Sequence, residues 1–213
     1  MRLGVFGGTF DPLHIAHLIC ARHVANAAHL DRLLLIPSNV PPHKHSRTAS
    51  PGALRMEMIE RSIVDDPLLE ACNVEIDRQP PSYSLDTVQQ LAKRYPQADL
   101  FFIIGADAFS EINTWHRWQE LIQSIDFLLL GRPGSEFESP EKAVPALARQ
   151  YAPLPGEPAA WRHVSGRTVR RIDAPLLQIS SSEVRRRVAA GEPIRYMVPD
   201  PVLQIVQREG LYR

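Results

Sequence analysis

Leu3-Gly4-Val5-Phe6-Gly7-Gly8-Thr9-Phe10-Asp11-Pro12-Leu13-His14-Ile15-Ala16-His17 is an apolar run that ends on two glycines and passes into a helical pattern within a few residues. Leu3 to Phe6 reads as a buried strand and Ile15 to Ala28 as a helix. Between them the glycines leave backbone N–H groups unblocked at a helix N-terminus, whose partial positive charge favours an anion such as phosphate. Neither of the commonest nucleotide loops is present, since no Gly-Lys-Ser/Thr closes a Walker A sequence and no third glycine completes GxGxxG. On the glycines alone a plain tight turn reads equally well.

Working outward, the alternation of apolar runs and helical periods continues, as expected of βαβ units around a buried parallel sheet. Arg32 to Ile36 reads as a strand ending at Pro37, Leu100 to Ile104 and Asp126 to Leu130 as further strands, and Thr168 to Asp173 as the last. A third strand is expected near Ala71 to Ile76. Helices are expected after Ser50, as the cap, with Pro51 at the first helical position and an end near Val64, and after a cap at Ser84. The latter carries Leu85, Val88, Leu91, Ala92 and Tyr95 as an apolar stripe. Two more span Ser181 to Ala190, closed by Gly191, and Pro201 to Arg208. Prolines crowd Pro37 to Pro51 and Gly131 to Trp161, so both read as long surface loops, the second with room for a short helix. The fold class is α/β.

The chain has 213 residues, with 24 basic and 24 acidic side chains and 44% hydrophobic content. That suits one domain over 1–213, with a proline-rich excursion near 131–161 and a C-terminal helical part over 181–213, and argues against disorder and against a charge-driven nucleic-acid binder. The N-terminus lacks a secretory pattern and no apolar run reaches membrane-spanning length, so a cytoplasmic protein without membrane association is expected. Cys20 and Cys72 are too few and too far apart for a disulfide framework and read as reduced, small hydrophobes.

His14 and His17, three residues apart, share one helix face near its N-terminal end, where both can donate hydrogen bonds to a bound phosphate chain. An isolated pair with this spacing also fits a surface histidine beside a satisfied core one. Adding Cys20 gives His-x-x-His-x-x-Cys, but no fourth zinc ligand is evident and a helix N-terminus disfavours a cation, so no metal site is expected here. The whole stretch Gly7 to His17 closely resembles the GGTFDPxHxGH signature of the nucleotidyltransferase superfamily, particularly the bacterial nicotinate mononucleotide adenylyltransferases. The resemblance implies a Rossmann-like doubly wound parallel sheet with helices on both faces. It also implies phosphate contacts for His14 and His17, with Thr9 beside them and Gly7, Gly8 and Phe10 in the nucleotide-binding loop. Ala16 departs from the family's usual glycine, and its methyl narrows the space for adenosine.

Five further segments extend the resemblance over essentially the whole chain. Pro41-Pro42-His43-Lys44 looks like the family's PPHK loop, whose lysine neutralises phosphate, although alone Lys44 reads as a solvated surface residue. Ile179-Ser180-Ser181-Ser182-Glu183-Val184-Arg185 resembles ISSTxIR, which implies anion contacts for Ser181, Ser182 and Arg185; as plain sequence it is also an ordinary cap before a solvated basic face. Ser82-Tyr83-Ser84 resembles the SYT-type motif at a helix start, implying that main-chain groups of Tyr83 and Ser84 hold the nicotinate carboxylate. Gly105 and Asp107 follow a strand where open α/β sheets bind ligands, and the resemblance gives them nucleotide and ribose contacts. Trp115 matches a tryptophan that stacks on the pyridine ring, whereas a lone tryptophan is more often core or groove lining.

The implied reaction joins ATP and nicotinate mononucleotide into nicotinate adenine dinucleotide and pyrophosphate, with Mg2+ riding on ATP. His14, His17, Lys44 and Arg185 are the implied catalytic residues. The small-molecule substrates are the expected partners, and a homo-oligomer is compatible with all of this. Alternatives are an adenylyltransferase for nicotinamide mononucleotide or another phosphate acceptor, and a catalytically silent nucleotide-binding regulator. A class I aminoacyl-tRNA synthetase also carries HxGH, but this chain is short and has no KMSKS-like loop.

Overall fold

A computed structural model describes residues 1–39, 49–79, 81–131, 137–175 and 177–213. Leu3, Val5, Leu34, Ile36, Phe102 and Ile104 project to one face of a sheet, while Leu33, Leu35, Phe101 and Ile103 project to the other, and each set joins its own buried cluster. Side chains alternate across a strand, so runs this uniformly apolar are stable only where helices cover both faces.

The parallel strands are β1 (Arg2–Gly8), β2 (Arg32–Pro37), β3 (Leu69–Ala71), β4 (Asp99–Gly105) and β5 (Asp126–Gly131). Two short strands, β6 (Tyr151–Pro153) and β7 (Ala160–His163), precede β8 (Thr168–Asp173). The order in the eight-stranded sheet is β3-β2-β1-β4-β5-β8-β7-β6; the β6–β7 and β7–β8 pairings are antiparallel and the other five are parallel. Chain direction across the sheet reverses between β1 and β4, and the crevice beyond the C-terminal ends of those strands is where such sheets bind ligands.

Helices α1 (Ile15–Ala27), α2 (Gly52–Ser62), α3 (Ser84–Arg94), α4 (Ala106–Ser110) and α5 (Trp118–Ser124) connect the parallel strands. A short α6 (Pro140–Ala143) precedes the hairpin, and α7 (Ser181–Ala189) and α8 (Asp200–Arg208) close the chain. Val24, Met58, Val184 and Ile205, from α1, α2, α7 and α8, share one buried cluster; Leu85, Phe109 and Leu121, from α3, α4 and α5, belong to the other. Gly191 ends the α7 turn at φ 70°, with its N–H on the Val188 carbonyl, as expected for a left-handed C-terminal glycine. No helix among the described residues is long and apolar enough to cross a membrane.

The structure corrects four expectations. The third strand lies at Leu69–Ala71, not Ala71 to Ile76, because the chain turns after Cys72 and the Asp77 N–H bonds the Asn73 carbonyl at 3.0 Å. The Gly131 to Trp161 segment is not only loop: β6 and β7 extend the sheet, and Phe137, Val144, Leu147 and Trp161 are buried under it. Ser50 does not cap α2, whose cap position is Pro51; its carbonyl is taken by Arg55 Nε at 2.9 Å. Ser84 does not cap α3 either, being its first residue after Tyr83.

Candidate functional site

Gly7 and Gly8 are the last two residues of β1, paired with Ile36 and Pro37 of β2, and α1 begins seven residues after Gly8 with His14 at its cap position in extended backbone (φ −136°, ψ 167°). His14 therefore stands just outside the helix rather than on its face, yet its ring stacks on that of His17, with centroids 3.6 Å apart and planes 16° from parallel. The His14 N–H donates to His17 Nδ1 at 3.2 Å. A nitrogen that accepts carries no proton, so neutral His17 is the Nε2–H tautomer and keeps that N–H for a ligand.

The Phe10 ring turns into the core rather than into either of the clefts described below. Its side chain is only 1% exposed and packs edge-on against His17 at 4.9 Å and Phe6 at 5.9 Å, with backbone held at φ 46°. It buttresses His17 from behind, and strained backbone of this kind persists only where the surroundings over-determine it.

Two clefts meet at Phe6 and Gly105, on either side of the crevice between β1 and β4. The larger, about 590 Å³, is lined by Gly7, Gly8, Thr9, Tyr83, Ser84, Gly105 and Trp115. The smaller, about 370 Å³, is lined by His14, Ala16, His17, Gly105, Asp107, Ile179, Ser180 and Ser181. A Cβ on Gly105 would stand 2.2 Å from Asp107 Oδ1 and would push that carboxylate from its present place on the wall of the smaller cleft. Ala16 is on the wall of the smaller cleft, where its methyl takes up space.

On the larger cleft's rim, Tyr83 stacks on His116 at 4.1 Å, and the N-terminus of α3 faces the same space through Tyr83 and Ser84. Trp115 reaches it edge-on to Phe102 at 6.4 Å. The cleft wall also holds Glu75, which sequence reasoning missed because it was read as part of a strand. Burial pushes its carboxyl above the ordinary carboxylate value, opposed by the hydrogen bond from Thr87 Oγ1 at 2.8 Å.

At the C-terminal motif Ser180, not Ser181, caps α7, its Oγ accepting from the Glu183 N–H at 3.1 Å. Ser181 Oγ donates to the Pro12 carbonyl at 2.9 Å, so its proton fastens the loop. Arg185 donates through Nη1 to the Asp11 carbonyl at 2.6 Å and through Nη2 to Ser182 Oγ at 3.0 Å. Ser182 and Arg185 line a separate surface recess and not the smaller cleft itself. Arg186 and Arg187 form ion pairs with Glu183 and Glu192, in keeping with a solvated basic face. Lys44 lies outside the described residues.

Arg55 was also missed. It is 3% exposed and its guanidinium donates to the carbonyls of Ser50, Thr9 and Ser38 at 2.9, 2.8 and 2.7 Å, tying the glycine-rich turn to the end of β2 and the start of α2. The available signal was an arginine set three and four positions before Met58 and Ile59, on the apolar face of α2. Three buried side-chain atoms among the described residues have no hydrogen-bond partner, His14 Nδ1, Ser38 Oγ and Arg185 Nε, and all three flank this loop. Native chains leave few such atoms, so these three are open to polar atoms brought by a ligand or by water.

Burial lowers His14 from 6.5 to about 4, and burial together with the adjacent His14 holds His17 well below 6.5. The unfolded chain therefore binds more protons than the folded one below pH 6.5, and stability falls as pH drops from there toward 4. His163, buried in the hairpin, is lowered in the same sense. Melting curves should show the midpoint declining across that window, and replacing His14 and His17 with asparagine should flatten the decline to the share left by His163. An undiminished slope in that double variant would show that the pair is not held neutral.

The sequence model of a family described as Cytidylyltransferase-like matches residues 5–187. A probable nicotinate-nucleotide adenylyltransferase of Exiguobacterium sibiricum is 37% identical over 212 residues, covering 100% of this chain and 99% of that protein. One of Citrifermentans bemidjiense is 40% identical over 215 residues, covering 100% and 98%. Among solved structures, a Plasmodium falciparum nicotinic acid mononucleotide adenylyltransferase complexed with NaAD superposes with a TM-score of 0.74 at 17% identity, over 99% of this chain and 97% of that one. Its fold is the mixed α/β arrangement described above.

Proposed function

This chain belongs to the cytidylyltransferase-like family and, through full-length relatives, to its nicotinate-nucleotide adenylyltransferases, and from that premise we propose that it transfers AMP from ATP to nicotinate mononucleotide. The observation that carries the reading is the pair of clefts meeting at Phe6 and Gly105, with the stacked histidines on one side and the α3 N-terminus with Trp115 on the other. Two nucleotides placed there would bring their phosphates together over Gly7 and Gly8.

The mononucleotide phosphate oxygen attacks the α-phosphorus of ATP; the new P–O bond forms as the bond to the pyrophosphate leaving group breaks. The attacking phosphate is already an anion, so no protein base or nucleophile is needed, and positioning with charge stabilisation supplies the catalysis. His17 Nε2–H and His14 donate to the phosphates of ATP, while Arg185, in the neighbouring recess, acts through the loop whose Asp11 carbonyl it holds and adds its positive charge nearby. Lys44 adds a positive charge in this reading, and Thr9 a hydroxyl. Ser181 acts through its grip on Pro12. Mg2+ enters on the ATP phosphates as part of the substrate, keeping much of its water. On the acceptor side, free N–H groups at the start of α3 favour a carboxylate over a neutral carboxamide.

The test is pyrophosphate release with Mg-ATP and, at equal concentration, nicotinate mononucleotide, nicotinamide mononucleotide or phosphopantetheine. A strong preference for nicotinate is expected; comparable or greater activity on the amide or on phosphopantetheine overturns the acceptor assignment. Trp115→Ala should raise KM for the pyridine nucleotide about tenfold, as expected when an aromatic stacking surface is lost, with kcat much less affected. An unchanged KM would remove that role from Trp115.

A further inference from the structure

The Thr9 to Pro12 segment is held by residues from the far end of the chain. Besides the bonds from Ser181 and Arg185 to its carbonyls, the Tyr212 hydroxyl donates to Asp11 Oδ1 at 2.6 Å. The same hydroxyl accepts from Ser50 Oγ at 3.3 Å, beside the Ser50 carbonyl that Arg55 holds together with Thr9 and Ser38. Asp11 is 3% exposed, and a carboxylate so enclosed is tolerable only while its hydrogen bonds are made. Tyr212 sits at φ 64°, a left-handed conformation unfavourable for an aromatic residue, and its ring packs against the apolar cluster that Phe10 and Leu13 share with α1, α2, α7 and α8.

We propose that Tyr212 is a positioning residue for the phosphate-binding loop: its hydroxyl, through Asp11, fixes where the loop delivers His14 and His17. The carboxy-terminal segment thereby sets the affinity for the ATP phosphates. The inference rests on the reading that ATP occupies the cleft lined by His14 and His17.

Tyr212→Phe removes the hydroxyl and keeps the ring. In equilibrium titration with Mg-ATP alone, the dissociation constant should rise about tenfold, the size expected for a hydrogen bond to a charged group. The melting midpoint should fall by about 2–10 °C, the cost of one lost hydrogen bond to a buried group with the ring packing kept. In turnover, KM for ATP should rise while KM for nicotinate mononucleotide stays unchanged, a split that general loosening of the fold would not produce. Asp11→Ala combined with Tyr212→Phe should bind Mg-ATP no more weakly than Asp11→Ala alone, as expected of two groups acting through one contact. If Asp11→Ala does not fold, Ser50→Ala takes its place in the cycle, with non-additive losses again expected. Unchanged Mg-ATP affinity in Tyr212→Phe, or additive losses in the cycle, would overturn the proposal. A wild-type chain that binds no Mg-ATP overturns both this and the transfer reading. One that binds Mg-ATP but forms no dinucleotide overturns the transfer reading alone, and the variant titrations still decide the role of Tyr212.

Discussion

Replacing His17 with alanine should lower kcat by about a hundredfold or more, the range found when a preorganised donor to a developing charge is removed. The loss follows from how the ring is held. His14 N–H fixes Nδ1 as the acceptor, Phe10 backs one edge at 4.9 Å, and the His14 ring covers a face at 3.6 Å, so Nε2–H is aimed before ATP arrives. In water such a donor would have to reorganise during the reaction; here the reorganisation is completed on folding. The cost to the fold should be much smaller, about 1–2 kcal/mol, because one hydrogen bond and one half-buried ring are lost. Steady-state turnover and denaturant melts on the same preparation separate the two effects. Turnover at the wild-type rate would sink the assignment of His17 to the phosphates.

The largest stability effect should come from Arg55→Met, at about 3–5 kcal/mol. Methionine has a comparable apolar stem but no donor, so the carbonyls of Ser50, Thr9 and Ser38 each lose the guanidinium N–H that reaches them. An unsatisfied buried polar group costs about 1–3 kcal/mol, and three at one point leave little room for all to relax together. Against a whole-domain stability of about 5–15 kcal/mol this is a large fraction, read as a fall in the urea midpoint at unchanged slope. A loss below about 1 kcal/mol would mean that water replaces the guanidinium at that junction.

The long elements agree with the local reading, while the third strand and the caps expected at Ser50 and Ser84 do not. The buried strands were legible because four or five apolar residues in succession fit a sheet covered on both faces; the order β3-β2-β1-β4-β5 comes from the structure, since alternation with helices implies parallel pairing but not which strands are neighbours. The third strand was misplaced because Cys72, Val74 and Ile76 alternate like a strand while the backbone turns. The hairpin was missed because prolines and short length hide β6 and β7, whose stability comes from pairing with each other and with β8. At the site, the glycine turn, the histidines, Tyr83 and Trp115 lie in contiguous motifs. Asp11 and Tyr212 are 201 residues apart, and Arg55 acts on carbonyls up to 46 positions away, relations that no local pattern encodes. Phe10 was placed with the ligand because of its neighbours in sequence, whereas its apolar ring follows the core.

The hairpin also changes how the molecule meets others like it. A parallel sheet stopping at β8 would present a six-residue edge of unpaired N–H and C=O groups, a template on which a second chain could add a strand. Here β7 and then β6 cover that edge, and the new border is three residues long and ends in Pro153, which has no N–H to offer. The opposite border, β3, is equally short. Both rims of an otherwise strongly apolar sheet are thus poor partners for strand addition, which lowers the hazard of sheet-to-sheet aggregation.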